Sequence, residues 1–228
     1  KVFDRCSSGE LRYYYYDHIP ERLKPCYDTL IEAVKAHQKE VDINGFNVDD
    51  VNNAISAVKC DHPELFWFNR IIEYRSTGDT LTAVLDYGVN KEETVTLQKH
   101  IDEAVKPFLE GITSEMSAYD VLIRLHVKMI NHIDYDTIGL EHQDKNGGPK
   151  DGEIDSLRSI TGTLLDGKAV CAGYAKTMQY LANLCGIECT YCRGYCYGYG
   201  NKKDEYHAWN VVRLDGEYYH LDTTWCDR

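Results

Sequence analysis

Residues Asp166-Gly167-Lys168-Ala169-Val170-Cys171-Ala172-Gly173-Tyr174-Ala175 open a segment that runs on to Cys185-Gly186, and its reading decides the fold. Cys171, Tyr174, Ala175, Met178, Leu181, Ala182 and Cys185 recur at three- and four-residue steps, the stripe of a buried helix, and Gly186 follows as its stop. The spacing predicts a helix whose first residue is a cysteine. The N–H groups of a first helical turn have no intrahelical acceptor, and the aligned peptide dipoles make that end positive. Both effects favour a thiolate at Cys171, and the same N–H groups suit the oxyanion of a tetrahedral intermediate.

Toward the C-terminus three strands are expected, Ile187 to Tyr195, Tyr206 to Leu214 and Glu217 to Thr224, the last two joined by Asp215-Gly216, a type I′ hairpin pair. Pairing about that turn sets Leu214 against Glu217. Asp222 then lies opposite Trp209 and one diagonal step from His207, on the same face, a separation that a carboxylate and an imidazole can span. A helix packed on an antiparallel sheet is an α+β architecture. Cys171 as nucleophile, His207 as its base and Asp222 holding the imidazole tautomer make a workable acyl-transfer constellation. Each residue alone also has an ordinary structural reading: a cysteine opening a buried helix is most often a small core residue, and a lone histidine usually serves packing.

Upstream, the apolar spacing predicts a helix over 17–39 and a second one capped by Asn47, running through Val51, Ile55 and Val58 and ending before Asp61-His62-Pro63. Leu65 to Tyr74 and Thr80 to Tyr87 read as strands about a Ser76-Thr77-Gly78-Asp79 turn. Helical spacing returns over 91–110 and 117–132, the latter with Tyr119, Leu122, Ile123, Leu125, His126 and Met129 as its stripe. The stretch from Gln143 to Glu153, rich in Gly, Asn and Pro, is expected to be an exposed loop beside the site. The expected organisation is an N-terminal helix and strand region over 1–110 and a catalytic core over 111–228.

The 228 residues, 43% hydrophobic, bury a core without help from metals or disulfides. Against 25 Lys+Arg stand 37 Asp+Glu, a formal charge of −12, so phosphate backbones and anionic membrane surfaces are poor partners. No apolar run approaches the roughly 18 residues of a membrane span. The cysteines number nine, so at least one is unpaired in a monomer. Cys185, Cys189, Cys192 and Cys196 have a superficially metal-like spacing. One ends a helix and the next two point to opposite faces of a strand, which disfavours convergence, so neither metal nor cofactor is expected. Tyr195, Tyr197 and Tyr199 alternate with small residues and form either a rim above the site or part of the core.

Ala169-Val170-Cys171-Ala172-Gly173-Tyr174-Ala175, His207-Ala208-Trp209-Asn210 and Leu221-Asp222-Thr223-Thr224-Trp225 resemble, in that order and at fitting separations, the three signature blocks of the transglutaminase-like superfamily. The resemblance covers roughly residues 115 to 228. Ile130 to Asp136 resembles the helix-then-Tyr-Asp passage that precedes the cysteine block in bacterial members. Asp61 to Trp67 resembles a passage of secreted or surface-attached bacterial relatives, although a turn leading into a buried aromatic strand is the stronger reading of those residues.

The resemblance implies a papain-like core and acyl transfer: the thiolate attacks a glutamine or peptide carboxamide, ammonia or an amine leaves, and a thioester is resolved by an amine or by water. Tyr174, Trp209 and Trp225, within these blocks, and Tyr197 on the tyrosine-rich segment are the expected substrate contacts. A protein or peptide substrate follows, cell-wall peptides included, and an extracellular or cell-surface location. Nothing marks the calcium sites of animal members or a side-chain oxyanion donor. Three readings stand side by side: a transamidating or deamidating enzyme, a thiol peptidase or amidase, and a silent peptide- or glycan-binding module, the last weakened by the presence of all three residues. The sequence is silent on oligomeric state.

Overall fold

The computed structural model describes residues 13–146, 152–196 and 205–226, and its contacts divide these into two units. One holds residues 13–98 with 152–155; the other holds 99–146 with 156–226 as far as described. The division falls inside a helix after Gln98, rather than at the expected 110/111, because helical spacing runs unbroken through that point and offers no shift in composition.

In the first unit α1 (Tyr14–His18) and a 3₁₀ turn (Glu21–Leu23) precede α2 (Lys24–Lys35), where a single helix over 17–39 is predicted. The break follows from Pro20 and Pro25: proline has no N–H to donate and is tolerated only in a helix's first turn, where Pro25 sits. Strand β1 (Glu40–Asn44) leads to α3 (Val48–Asp61). Asn47 caps α3, its side chain accepting the Asp50 N–H while Asp50 accepts the Asn47 N–H, a complete capping box. Strands β2 (Phe68–Thr77) and β3 (Thr80–Tyr87) complete an antiparallel sheet in the order β1-β3-β2. Leu30 and Val34 of α2, Val51 and Val58 of α3, and Leu81, Ala83 and Leu85 of β3 share its core. β1 escapes sequence reading because five residues with only Val41 and Ile43 apolar carry too short a pattern. Asp61, 2% exposed, accepts from the N–H groups of Tyr15 and Tyr16 and from the Tyr27 hydroxyl, at 2.9 to 3.0 Å, and ties α1 and α2 to the end of α3. Burial raises its pKa and these hydrogen bonds oppose the rise.

The second unit contains the end of α4 (Lys91–Ala104), α5 (Lys106–Leu109), α6 (Ala118–Ile130), β4 (Asp134–Tyr135), α7 (Thr137–Asn146), β5 (Lys168–Ala169), α8 (Cys171–Leu184), β6 (Cys189–Cys196), β7 (Glu205–Leu214), β8 (Glu217–Leu221) and α9 (Thr223–Cys226). β6-β7-β8 is an antiparallel sheet, β4 and β5 a short parallel pair, and α8 packs on β6 and β7. This is the expected α+β arrangement of a helix on an antiparallel sheet. The α6 stripe differs from the expected one: Val121, Leu122, Leu125 and Met129 are buried, whereas Tyr119 and Ile123 are exposed. The α7 helix runs to Asn146, so Gln143 to Asn146 are helical where a loop is expected, and neither Gly nor Pro lies among these four residues. β8 ends at Leu221 instead of Thr224, because Asp222 turns the chain into α9 by accepting the Trp225 N–H at 3.1 Å. Tyr197, Tyr199 and Cys6 lie outside the described residues. Among the described residues no helix is long and apolar enough to cross a membrane.

Candidate active site

Three elements converge at the start of α8. Ile133, just before β4, and Ala169 of β5 are buried, the β4–β5 register sets Tyr135 against Ala169, and Val170 donates to the Leu157 carbonyl at 3.0 Å. The chain is thereby fixed up to the residue before Cys171. Val170 occupies the N-cap position in extended conformation and has no side-chain oxygen to offer. Gly173 and Tyr174 donate to the Val170 carbonyl, which leaves the N–H groups of Cys171 and Ala172 without an intrahelical acceptor. Cys171 itself is half-buried.

β7 brings His207 to this helix end. Its register with β8 runs from Leu214↔Glu217 to Asn210↔Leu221, as read from the Asp215-Gly216 turn, where both residues have positive φ (51° and 89°). Continuing one residue sets Asp222 opposite Trp209 and diagonal to His207, whose ring Nε2 lies 2.7 Å from Asp222 Oδ2. His207 is 1% exposed, and its other nitrogen, Nδ1, is buried without a well-formed hydrogen bond. Burial lowers the pKa of the ring, but the hydrogen bonds to Asp222 and Cys171 and their charges outweigh it and raise the value to about 9. Because Asp222 occupies Nε2, Nδ1 is the nitrogen left to serve the Cys171 sulfur.

Asn210, which sequence reading passed over, locks the two halves of this arrangement. Buried on β7, it donates from Nδ2 to the Ala175 carbonyl of α8 at 2.8 Å. Its signal was an amide in mid-strand, flanked by Trp209 and by Val211 and Val212.

The expected substrate contacts are distributed differently. Tyr174 is fully buried and donates its hydroxyl to the Ile133 carbonyl at 2.8 Å, so it is a core residue with no surface for a substrate. Trp209 donates its indole N–H to Nδ1 of His220 at 2.9 Å, with Gly194 beneath its ring. Trp225, half-exposed, stacks on His207 with centroids 4.8 Å apart. Tyr195, on the same sheet, stands edge-to-face with Tyr206 at 5.2 Å and is largely exposed. Cys171, Cys189, Cys196 and Cys226 are free thiols in this unit, and among the described residues no three His, Cys, Asp or Glu side chains form a group suited to a metal.

A sequence model of the transglutaminase-like superfamily matches residues 106–223, just over half of the chain and all of the elements just described from α5 through β8. The chain belongs to the transglutaminase-like superfamily. It is 26% identical over 137 residues to the kyphoscoliosis peptidases of Homo sapiens and Mus musculus, a match that takes in 58% of this chain and 19% of each of those proteins. The chain thus spans about a fifth of the length of these relatives. Among solved structures, a crystal structure of a TGase covers 67% of this chain and 43% of its own, at 16% identity and a TM-score of 0.45.

Proposed function

We propose that this member of the transglutaminase-like superfamily is a cysteine acyltransferase acting on carboxamides of protein or peptide substrates. The observation that carries the reading is the division of labour on His207, with Nε2 bound by Asp222 and Nδ1 left for the cysteine that opens α8. In the reaction the Cys171 thiolate attacks the carbonyl carbon. The oxyanion forms against the N–H groups of Cys171 and Ala172, which the Val170 cap leaves unserved. Protonated Nδ1 of His207 gives its proton to the departing nitrogen, and ammonia or an amine leaves. The thioester is then attacked by an amine, or by water, whose proton returns to Nδ1. Asp222 holds the ring orientation and stabilises the imidazolium throughout.

Hydrolysis is the second reading, favoured by the similarity to two proteins named as peptidases. Thioester chemistry is common to both, and they part only at the attacking group. The pH dependence of Cys171 alkylation by iodoacetamide, read by peptide mass spectrometry in wild type and His207→Ala, tests the shared core. Selective labelling below neutral pH that the variant abolishes supports the thiolate–imidazolium pair. Labelling no faster than at the other thiols, unchanged in the variant, overturns it and points to a binding module. Incorporation of a labelled amine into a glutamine peptide then separates transfer from hydrolysis.

A further inference from the structure

The indole of Trp225 lies almost parallel to the imidazole of His207, 15° from its plane with 4.8 Å between centroids. Asp222 enforces that placement. One carboxylate oxygen receives Nε2 of His207 and the other the main-chain N–H of Trp225, so the side chain that orients the ring also caps the turn that carries the indole. Buried Thr223, within 3.3 Å of His126 Nδ1, anchors that turn to α6. Trp209 is also near-parallel to His207, but at 6.2 Å and with its indole N–H committed to His220.

We propose that Trp225 is a positioning residue for His207: its indole face fixes the imidazole plane toward Asp222 and favours the charged ring over the neutral one, instead of contacting substrate. This rests on reading His207 as the catalytic acid and base. A cation against an indole face is favoured by roughly two- to thirtyfold over one without it. The indole also screens one side of the His207–Asp222 pair from water, where a lower local dielectric strengthens their attraction. The ionisable groups that act on the ring are Asp222, at the start of α9, and Cys171 on α8. Cys196 on β6 lies on the same sheet face, two residues beyond Gly194, which pairs with His207. Burial and the Asp222, Glu205 and Cys171 charges raise the Cys196 pKa, which keeps it a neutral thiol.

The test compares Trp225→Ala, Trp225→Leu and Trp225→Phe in the full chain. The His207 titration is read by NMR, kcat and KM by amine incorporation, and folding by circular dichroism. Phe keeps an aromatic face and Leu keeps apolar cover without one. The expected result is a fall of about one pH unit in the His207 pKa and of about tenfold in kcat for Ala and Leu, with KM little changed and Phe close to wild type. A rise in KM with the titration and kcat unmoved overturns the proposal and restores Trp225 as a substrate contact. An unmoved titration in a folded Leu variant also overturns it, which keeps the test decisive if Ala does not fold. The NMR readout is independent of turnover, so a failure of the acyltransfer reading, seen as unselective Cys171 alkylation in wild type, is distinguishable from a failure here.

Discussion

Asn210 on β7 reaches across to α8 and donates from Nδ2 to the carbonyl of Ala175 at 2.8 Å, a buried tie between the strand that carries His207 and the helix that opens with Cys171. The two catalytic candidates sit on different elements, and this bond is what sets one against the other three residues from His207 and four from Cys171. Removing it in Asn210→Ala costs about 1–3 kcal/mol of stability. The accompanying loss of alignment slows Cys171 alkylation at neutral pH. Chemical denaturation and alkylation kinetics measure both effects. A variant as stable as wild type would show that the tie is dispensable.

The His207–Asp222 pair makes stability depend on pH in a defined direction. The folded-state pKa of about 9 lies above the unperturbed 6.5, so the folded protein holds this proton more tightly than the unfolded chain. The contribution is complete below pH 6.5 and is lost as pH rises through about 9. Asp222→Asn removes the charge that holds the proton. The alkaline decline of Tm between those pH values therefore flattens in the variant, as thermal melts across a buffer series would record.

Gly173, in the first turn of α8, tests how tightly the helix start is packed. A Cβ there would stand 2.6 Å from the Leu157 carbonyl oxygen and 2.7 Å from Cβ of Ala169. Alanine is the better helix former by about 1 kcal/mol. The clash is with backbone, which yields poorly, so Gly173→Ala is expected to destabilise by about 1–3 kcal/mol despite that preference. A rise in Tm would show that the segment before Cys171 gives way.

In the first unit, Asn47→Ala breaks the capping box of α3 and is expected to cost about 1 kcal/mol. Asn47→Asp or Asn47→Ser keeps a side-chain acceptor and should recover most of it, which a urea titration of the three variants would show.

The C-terminal half was the more legible in sequence because its signals are local. The seven-residue stripe from Cys171 to Cys185 and the Asp215-Gly216 turn fix helix and register within a few residues of themselves, and the His207–Asp222 contact follows from the register. The roles of Tyr174 and Asn210 were not legible, since each depends on a partner in another element: the Ile133 carbonyl 41 residues away and the Ala175 carbonyl 35 residues away. The α6 stripe was misplaced for a related reason. Tyr119 and Ile123 fit a helical period, but the neighbours that would bury them are not encoded in that period. The break between α1 and α2 was missed although Pro20 and Pro25 announce it.

Val170 caps α8 with an aliphatic side chain, where Ser, Asn or Asp would contribute about 1 kcal/mol. The resting fold therefore has an electrostatic deficit at the sulfur, and whatever negative charge arrives there completes the helix. Alkylating Cys171 with iodoacetate leaves a carboxylate beside those N–H groups, while iodoacetamide leaves a neutral amide of nearly the same size. The anionic adduct should melt higher than the neutral one, so that a covalent label measures how strongly the start of this helix attracts negative charge.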